Sequence, residues 1–293
     1  MTAASSDGRG RPVVLGVDAA APGPMATAWA ADEAARRGLP LLLVHAVPPQ
    51  DFHALDEERR RARRREQAYE TLDRAAAAAR ERHPDLDVST VVAEEVPALA
   101  LCRESARAGL VVLGTRRLSR MEEVLSTFSV TVPVSAQAHC PVVVVREPEH
   151  VTQESPYVVV GVDGSASSAA AVDVAIGLAA ERHADLRAVQ VWHRPAIGRV
   201  DPQSTEQELR RLLVEATAGP RGLHPEVHVA HEVVHGHPVE ELAKASEHAL
   251  AVVVGRRGDG GFTGMRLGSV PHGLLHRAHC PVVTVPTPPD DGK

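Results

Sequence analysis

Short Val-rich runs alternate with longer, Ala-rich amphipathic stretches along the whole chain. In the second half, the runs at 157–163, 185–192, 226–231, 250–255 and 281–286 predict strands. The stretches near 166–182, 203–218, 238–248 and 267–278 predict helices. The first half predicts strands near 12–17, 40–46, 87–92, 110–114 and 141–146, with a long Arg-rich second helix over about 55–82. Strands that are apolar throughout, rather than at every second position, are buried on both faces, which requires helices on each side of a parallel sheet. The expected class is therefore α/β, with two tandem doubly wound parallel five-stranded sheets, helices on both faces and a flavodoxin-like strand order.

The tandem arrangement follows from an internal repeat. Val13-Val-Leu-Gly-Val-Asp18 recurs as Val158-Val-Val-Gly-Val-Asp163, and Leu110-Val-Val-Leu-Gly114 as Ala251-Val-Val-Val-Gly255. Ala138-His-Cys-Pro-Val-Val-Val-Val145 recurs as Ala278-His-Cys-Pro-Val-Val-Thr-Val285. The offsets of 145, 141 and 140 residues keep one order of elements with small insertions. Two domains, 1–147 and 156–293, joined through the polar stretch Arg146 to Pro156, are the simplest account.

Composition narrows the chemistry. The 293 residues carry a net charge of −6, with 19 basic and 21 acidic residues in the first 150 and 13 and 17 in the remainder, so neither half favours nucleic acid as a partner. Aromatics are 2% of the chain, which leaves the core to Val, Leu, Ala and Ile. Lys244 and Lys293 are the only lysines, so a phosphate-binding or catalytic lysine is nearly excluded. No apolar run is long enough for a membrane span, and the small, polar Met1 to Pro12 stretch lacks the apolar core of a secretory signal. Cys102, Cys140 and Cys280 are odd in number and far apart, as expected of reduced thiols in a cytoplasm.

In open parallel sheets ligands bind beyond the carboxyl ends of the strands, where the strand order reverses. Asp163, like Asp18, closes a first strand. A glycine loop follows the fourth strand of the second copy: Gly255-Arg-Arg-Gly258-Asp-Gly-Gly-Phe-Thr-Gly-Met-Arg-Leu-Gly268-Ser269-Val270. Glycines allow close backbone approach and positive φ, and successive N–H groups form an anion nest. Gly268-Ser269 opens a helix whose N-terminus adds donors and a favourable dipole for phosphate. Arg256, Arg257 and Arg266 are candidate sources of positive charge. The loop is neither a Walker A motif nor a G-x-G-x-x-G fingerprint.

The arrangement Gly255-x2-Gly258-x9-Gly268-Ser269, after a strand ending Gly161-Val-Asp163-Gly-Ser165, resembles the ATP-binding signature of the universal stress proteins. The His-Cys-Pro-Val-Val closings and Gly236-His-Pro238 are similar to that family too. The resemblance spans essentially the whole chain as a tandem pair of the kind common in actinobacteria. It implies an adenine-nucleotide alpha-hydrolase-like fold and ATP, with or without Mg, as ligand. Asp163, two residues after Gly161, would lie at the adenine end, with Val191 packed near the base. Gly255 and Gly258 would admit the ribose and phosphates, and Gly268, Ser269 and Val270 would hold the phosphate tail. The first copy departs from the pattern: counted strictly, Arg117 and Thr127 replace the second and third glycines, and with one inserted residue Ser129 aligns with Ser269 while Phe128 stands where Gly268 stands. Glu122 and Glu123 add repulsion, so only the second copy is expected to bind ATP.

Other constellations weigh less. His231, His235 and His237 have metal-like spacing, but the bland reading is an ordinary strand-to-helix connection in a chain with 16 histidines. His235-Gly-His237 is misplaced for a nucleotidyltransferase motif, which belongs after the first strand. The acidic cluster and lysine of a receiver domain are missing. The Arg59–Arg65 run reads as a solvated face with i to i+4 partners. Cys102 reads as a core thiol, and Cys140 and Cys280 as structural. No Ser-His-Asp or paired-carboxylate set supports hydrolysis. The expectation is a cytoplasmic, non-enzymatic, ATP-dependent regulator in the stress response. Its last strands, 142–145 and 282–285, are expected at sheet edges that pair the copies and form a homodimer, with a regulatory protein partner. A slow ATPase or phosphotransfer enzyme and a nucleotide-free scaffold are the alternatives.

Overall fold

The computed structural model describes residues 10–18, 23–48, 57–116, 130–147, 155–192, 202–258 and 267–287. The chain divides into two compact units, Met1–Pro148 and Glu149–Lys293. In the first, the elements run β1 (Val13–Gly16), α1 (Pro24–Arg37), β2 (Leu41–Ala46), α2 (Glu57–Arg82), β3 (Val88–Ala93), α3 (Pro97–Ser105), β4 (Leu110–Arg116), α4 (Thr131–Gln137) and β5 (Val142–Glu147). The second repeats them as β6 (Tyr157–Gly161), α5 (Ala166–Ala180), β7 (Asp185–Trp192), α6 (Pro202–Leu223), β8 (Val229–His235), α7 (Pro238–Ala245), β9 (Ala251–Gly255), α8 (Ser269–Arg277) and β10 (Val282–Val285).

Within each unit all pairings are parallel, in the order β3-β2-β1-β4-β5 and β8-β7-β6-β9-β10. This corrects the flavodoxin-like order expected from the sequence. Alternating strands and helices look the same in both orders, because the step each crossover takes across the sheet leaves no mark on periodicity. The apolar runs are buried as expected: Val158, Val159, Val160, Val252 and Val253 are fully buried, and so are Val13 and Val14. Helices α1 and α2 pack together, as do α3 and α4, α5 and α6, and α7 and α8, giving two helices to each face of each sheet.

One strand departs in its limits. β8 runs to His235, beyond the expected end near 231. The polar residues at that point have partners: Glu232 forms an ion pair with Arg187 across the strands at 2.7 Å, and His231 Nε2 lies 2.8 Å from Thr217 Oγ1 on α6. Burial, reinforced by the charges of Arg221 and Arg210, pulls the His231 pKa below the usual range. His235 instead stacks edge-on to Trp192, 5.2 Å between centroids, and His237 is the N-cap of α7. Among the described residues no three His, Cys, Asp or Glu side chains are grouped to hold a metal ion.

The repeat extends to small polar details. The Ser105 hydroxyl donates to the Cys102 carbonyl at 2.6 Å and accepts the His139 N–H at 3.0 Å. Ser246 does the same with Ala243 and His279, at 2.6 and 2.9 Å. Each thus ties a helix end to the turn that launches the last strand, beside Cys140 and Cys280. Burial pushes both thiols up to about 12. Cys102, expected in the core, is only half-buried because its helix turns it toward the surface. Native protein treated with iodoacetamide should therefore be alkylated at Cys102 alone, with Cys140 and Cys280 labelled only after denaturation. Peptide mass spectrometry checks this.

The helix ends differ at one informative position. After α1, Gly38 takes a left-handed φ of 62°; after α5, His183 takes the same role at φ 50°. A side chain with a Cβ is strained there by about 1 kcal/mol. His183→Gly should stabilise the second unit by about that amount, read as a higher urea midpoint at unchanged slope.

Candidate functional site

The observed strand order makes β6 and β9 neighbours, so the ends of the first and fourth strands of the second unit meet at the reversal point. Close approach there depends on glycine. A Cβ on Gly255 would lie 2.6 to 2.8 Å from Ser167 Oγ, C and O, in the first turn of α5. A Cβ on Gly161 would lie 3.0 Å from Leu242 and 3.1 Å from Val254. Gly114 and Gly16 hold the corresponding places in the first unit, against Ala26 at 3.0 Å and against Leu101 and Leu113 at 3.0 Å. Gly255 is therefore first a packing residue, which lets a helix N-terminus seat against the sheet.

Above this junction lies a cavity of about 500 Å³, a size typical of small-molecule sites. Its walls include Gly161, Asp163, Val191, Gly255, Arg257, Gly258, Gly268, Ser269 and Val270. Of the eleven residues singled out for the site from the sequence, nine are thus brought to one place, and Arg266 lies outside the described residues. The exception is Arg256. Its N–H donates to Val285 O at 2.7 Å and its carbonyl accepts the Gly268 N–H at 2.9 Å. Its role is to fasten the start of the glycine loop to β10 and to the head of α8. Desolvation, with the adjacent Arg257 charge, lowers the Arg256 pKa.

The cavity has a polar end and an apolar end. Helix α8 starts at Gly268 with no side-chain cap, so the first-turn N–H groups of Ser269 and Val270 face the cavity without a serine or aspartate competing for them. Val189, Val191, Leu242, Val254 and Leu267 supply the apolar wall. Positive φ, expected of the loop glycines, is not used at Gly255, Gly258 or Gly268; it occurs at Gly164, with φ 87°. Residues 259–266 of the loop lie outside the described residues.

The sequence reading quoted Ser165 in its motif without giving it a role, and missed Ser168. Ser165 is the N-cap of α5, and its Oγ accepts the Ser168 N–H at 3.1 Å. Its hydroxyl donates to Asp163 Oδ1 at 2.6 Å, and its N–H donates to the same oxygen at 3.1 Å. Ser168 lines the cavity. The cap preference of serine ahead of an Ala-rich stretch was the available signal. The first unit starts α1 from Gly23, which has no hydroxyl.

A family model described as Universal stress protein family matches residues 10–146 and 157–286, nearly the whole chain in two tandem segments. The chain belongs to the universal stress protein family. Universal stress proteins of Mycobacterium tuberculosis are similar to it, at 33% identity over 283 residues, covering 92% of this chain and 95% of theirs. One of Mycolicibacterium smegmatis is 33% identical over 289 residues, covering 93% and 96%. The crystal structure of a universal stress protein from Archaeoglobus fulgidus shares the fold, with a TM-score of 0.73 at 17% identity over 97% of this chain and 98% of that one. Two universal-stress segments in one chain account for the internal repeat. The positions that distinguish them, Arg117, Glu122, Glu123, Thr127 and Phe128, lie outside the described residues, as does Ser129.

Gly255→Ala should cost about 1–3 kcal/mol, because the new methyl meets the Ser167 backbone, which cannot turn aside, as well as its hydroxyl. Urea unfolding followed by circular dichroism checks this.

Proposed function

We propose that this universal stress protein binds ATP in its second unit and acts as a nucleotide-dependent regulator or sensor in the stress response, without fast turnover. The observation that carries the reading is the cavity between β6 and β9. It joins an apolar wall suited to a base with an uncapped helix N-terminus suited to phosphates, and Arg257 is among its lining residues. Nucleotide binding would bias the conformation or assembly of the protein by its differential affinity for two states. Magnesium would arrive with the phosphates, since Asp163 is the only carboxylate lining the cavity among the described residues. The first unit, with Phe128 and Arg117 in place of glycines, serves as a scaffold or dimerising partner. A homodimer through edge strands, a regulatory protein partner and a cytoplasmic location belong to the same proposal. Among the described residues no helix is long and apolar enough to cross a membrane.

The test is to denature the purified protein and quantify released nucleotide by chromatography and mass spectrometry, with Gly268→Phe, which copies Phe128, alongside. The expected result is about one ATP per chain, lost in the variant. Added ATP at about 100 times its Kd should stabilise the wild type by about 2.7 kcal/mol and leave the variant unchanged. Two ATP per chain would overturn the reading of the first unit. ADP alone would favour slow hydrolysis. No nucleotide, even after incubation with ATP and magnesium, would leave a scaffold.

A further inference from the structure

Asp163 projects from the end of β6 with its two oxygens in different surroundings. Oδ1 accepts both the Ser165 N–H and the Ser165 hydroxyl, at 3.1 and 2.6 Å. Oδ2 reaches across to the glycine loop, so that a Cβ on Gly258 would lie only 2.2 Å from it. The carboxylate is thus gripped by one serine on one side and faces the loop on the other. The Ser165 hydroxyl is itself held in direction, since its oxygen accepts the Ser168 N–H. A second acceptor, the Arg257 carbonyl, lies 3.4 Å from the same hydroxyl. One serine side chain, 5% exposed at residue level, therefore connects the first turn of α5, the end of β6 and the loop after β9.

We propose that Ser165 is a positioning residue of the nucleotide site, which aims the Asp163 carboxylate across the cavity and sets ligand affinity through it. The inference rests on the nucleotide reading above. A carboxylate in an exposed strand-to-helix connection otherwise samples several rotamers, and fixing one in advance removes that ordering cost from binding. The hydroxyl also gives the arrangement an alternative. When a ligand draws Asp163 away, the proton of Ser165 has the Arg257 carbonyl as its next acceptor, which links ligand contact to the base of the glycine loop. The first unit retains Asp18 but caps its helix with Gly23, so the positioning device is present in one copy only.

The experiment measures ATP affinity by calorimetry on the full chain stripped of nucleotide, for wild type, Ser165→Ala, Ser165→Thr, Asp163→Ala and the Ser165→Ala/Asp163→Ala pair. Removing one hydrogen bond that orients a ligand-facing group should weaken ATP about tenfold in Ser165→Ala. Ser165→Thr, which keeps the hydroxyl and the cap, should restore it. The serine substitution should add nothing once Asp163 is Ala and the accepting oxygen is gone, the non-additivity expected of two residues acting as one. A control pair, Ser165→Ala with Ser269→Ala, should be additive. Unchanged affinity in Ser165→Ala would overturn the proposal, as would a loss that persists in full beside Asp163→Ala, because a cap acting only on helix stability would do that. Failure of the wild type to bind ATP is a different result, visible before any variant is made, and it removes the nucleotide reading itself.

Discussion

The architecture of the site depends on how closely a helix N-terminus can sit against the end of a neighbouring strand. At Gly255 the first turn of α5 comes within 2.8 Å of where a Cβ would stand, and the contact is with backbone as well as with a side chain. The seat fixes the height of α5 over the sheet, and thereby the positions of Ser165 and Asp163. It also leaves β9 to deliver the glycine loop directly beside β6. The same seat is built in the first unit with Gly114 against Ala26. A requirement met twice, in a unit with an intact loop sequence and in one without, belongs to the fold rather than to the ligand.

What separates the two units is therefore found in what surrounds the common seat. The second unit caps α5 with a serine that also holds an aspartate; the first begins α1 from Gly23 and Pro24. The second unit has glycines at 258 and 268, where the first has Arg117 and Phe128 by sequence. The strand motifs, the serine that ties the third helix to the last turn, and the buried thiol before the last strand are common to both. The packing is thus common to both units while the loop sequences differ, as expected if packing is under a stability constraint that loops do not share.

The sequence carried the elements well because their periods are physical: buried parallel strands must be apolar at every position, and Val159, Val253 and Val283 obey. It carried nine of the cavity's lining residues because glycines and a terminal aspartate beside strand ends have few other uses. The strand order was not legible, since no residue type marks how far a crossover steps. The length of β8 was misread because Glu232 and His231 look like a strand end until their partners Arg187 and Thr217, far away in the chain, are in place. Ser165 was in plain sight between Asp163 and an alanine run, but its double duty as cap and clamp exists only once the helix has formed.

Arg256 has the last consequence. Its backbone meets Val285 on one side and Gly268 on the other, so the end of β10 and the head of α8 are held at one residue. The entropy of bringing those two ends together is met by two backbone hydrogen bonds within the protein and is not charged to a ligand. The head of α8 stays where the sheet put it.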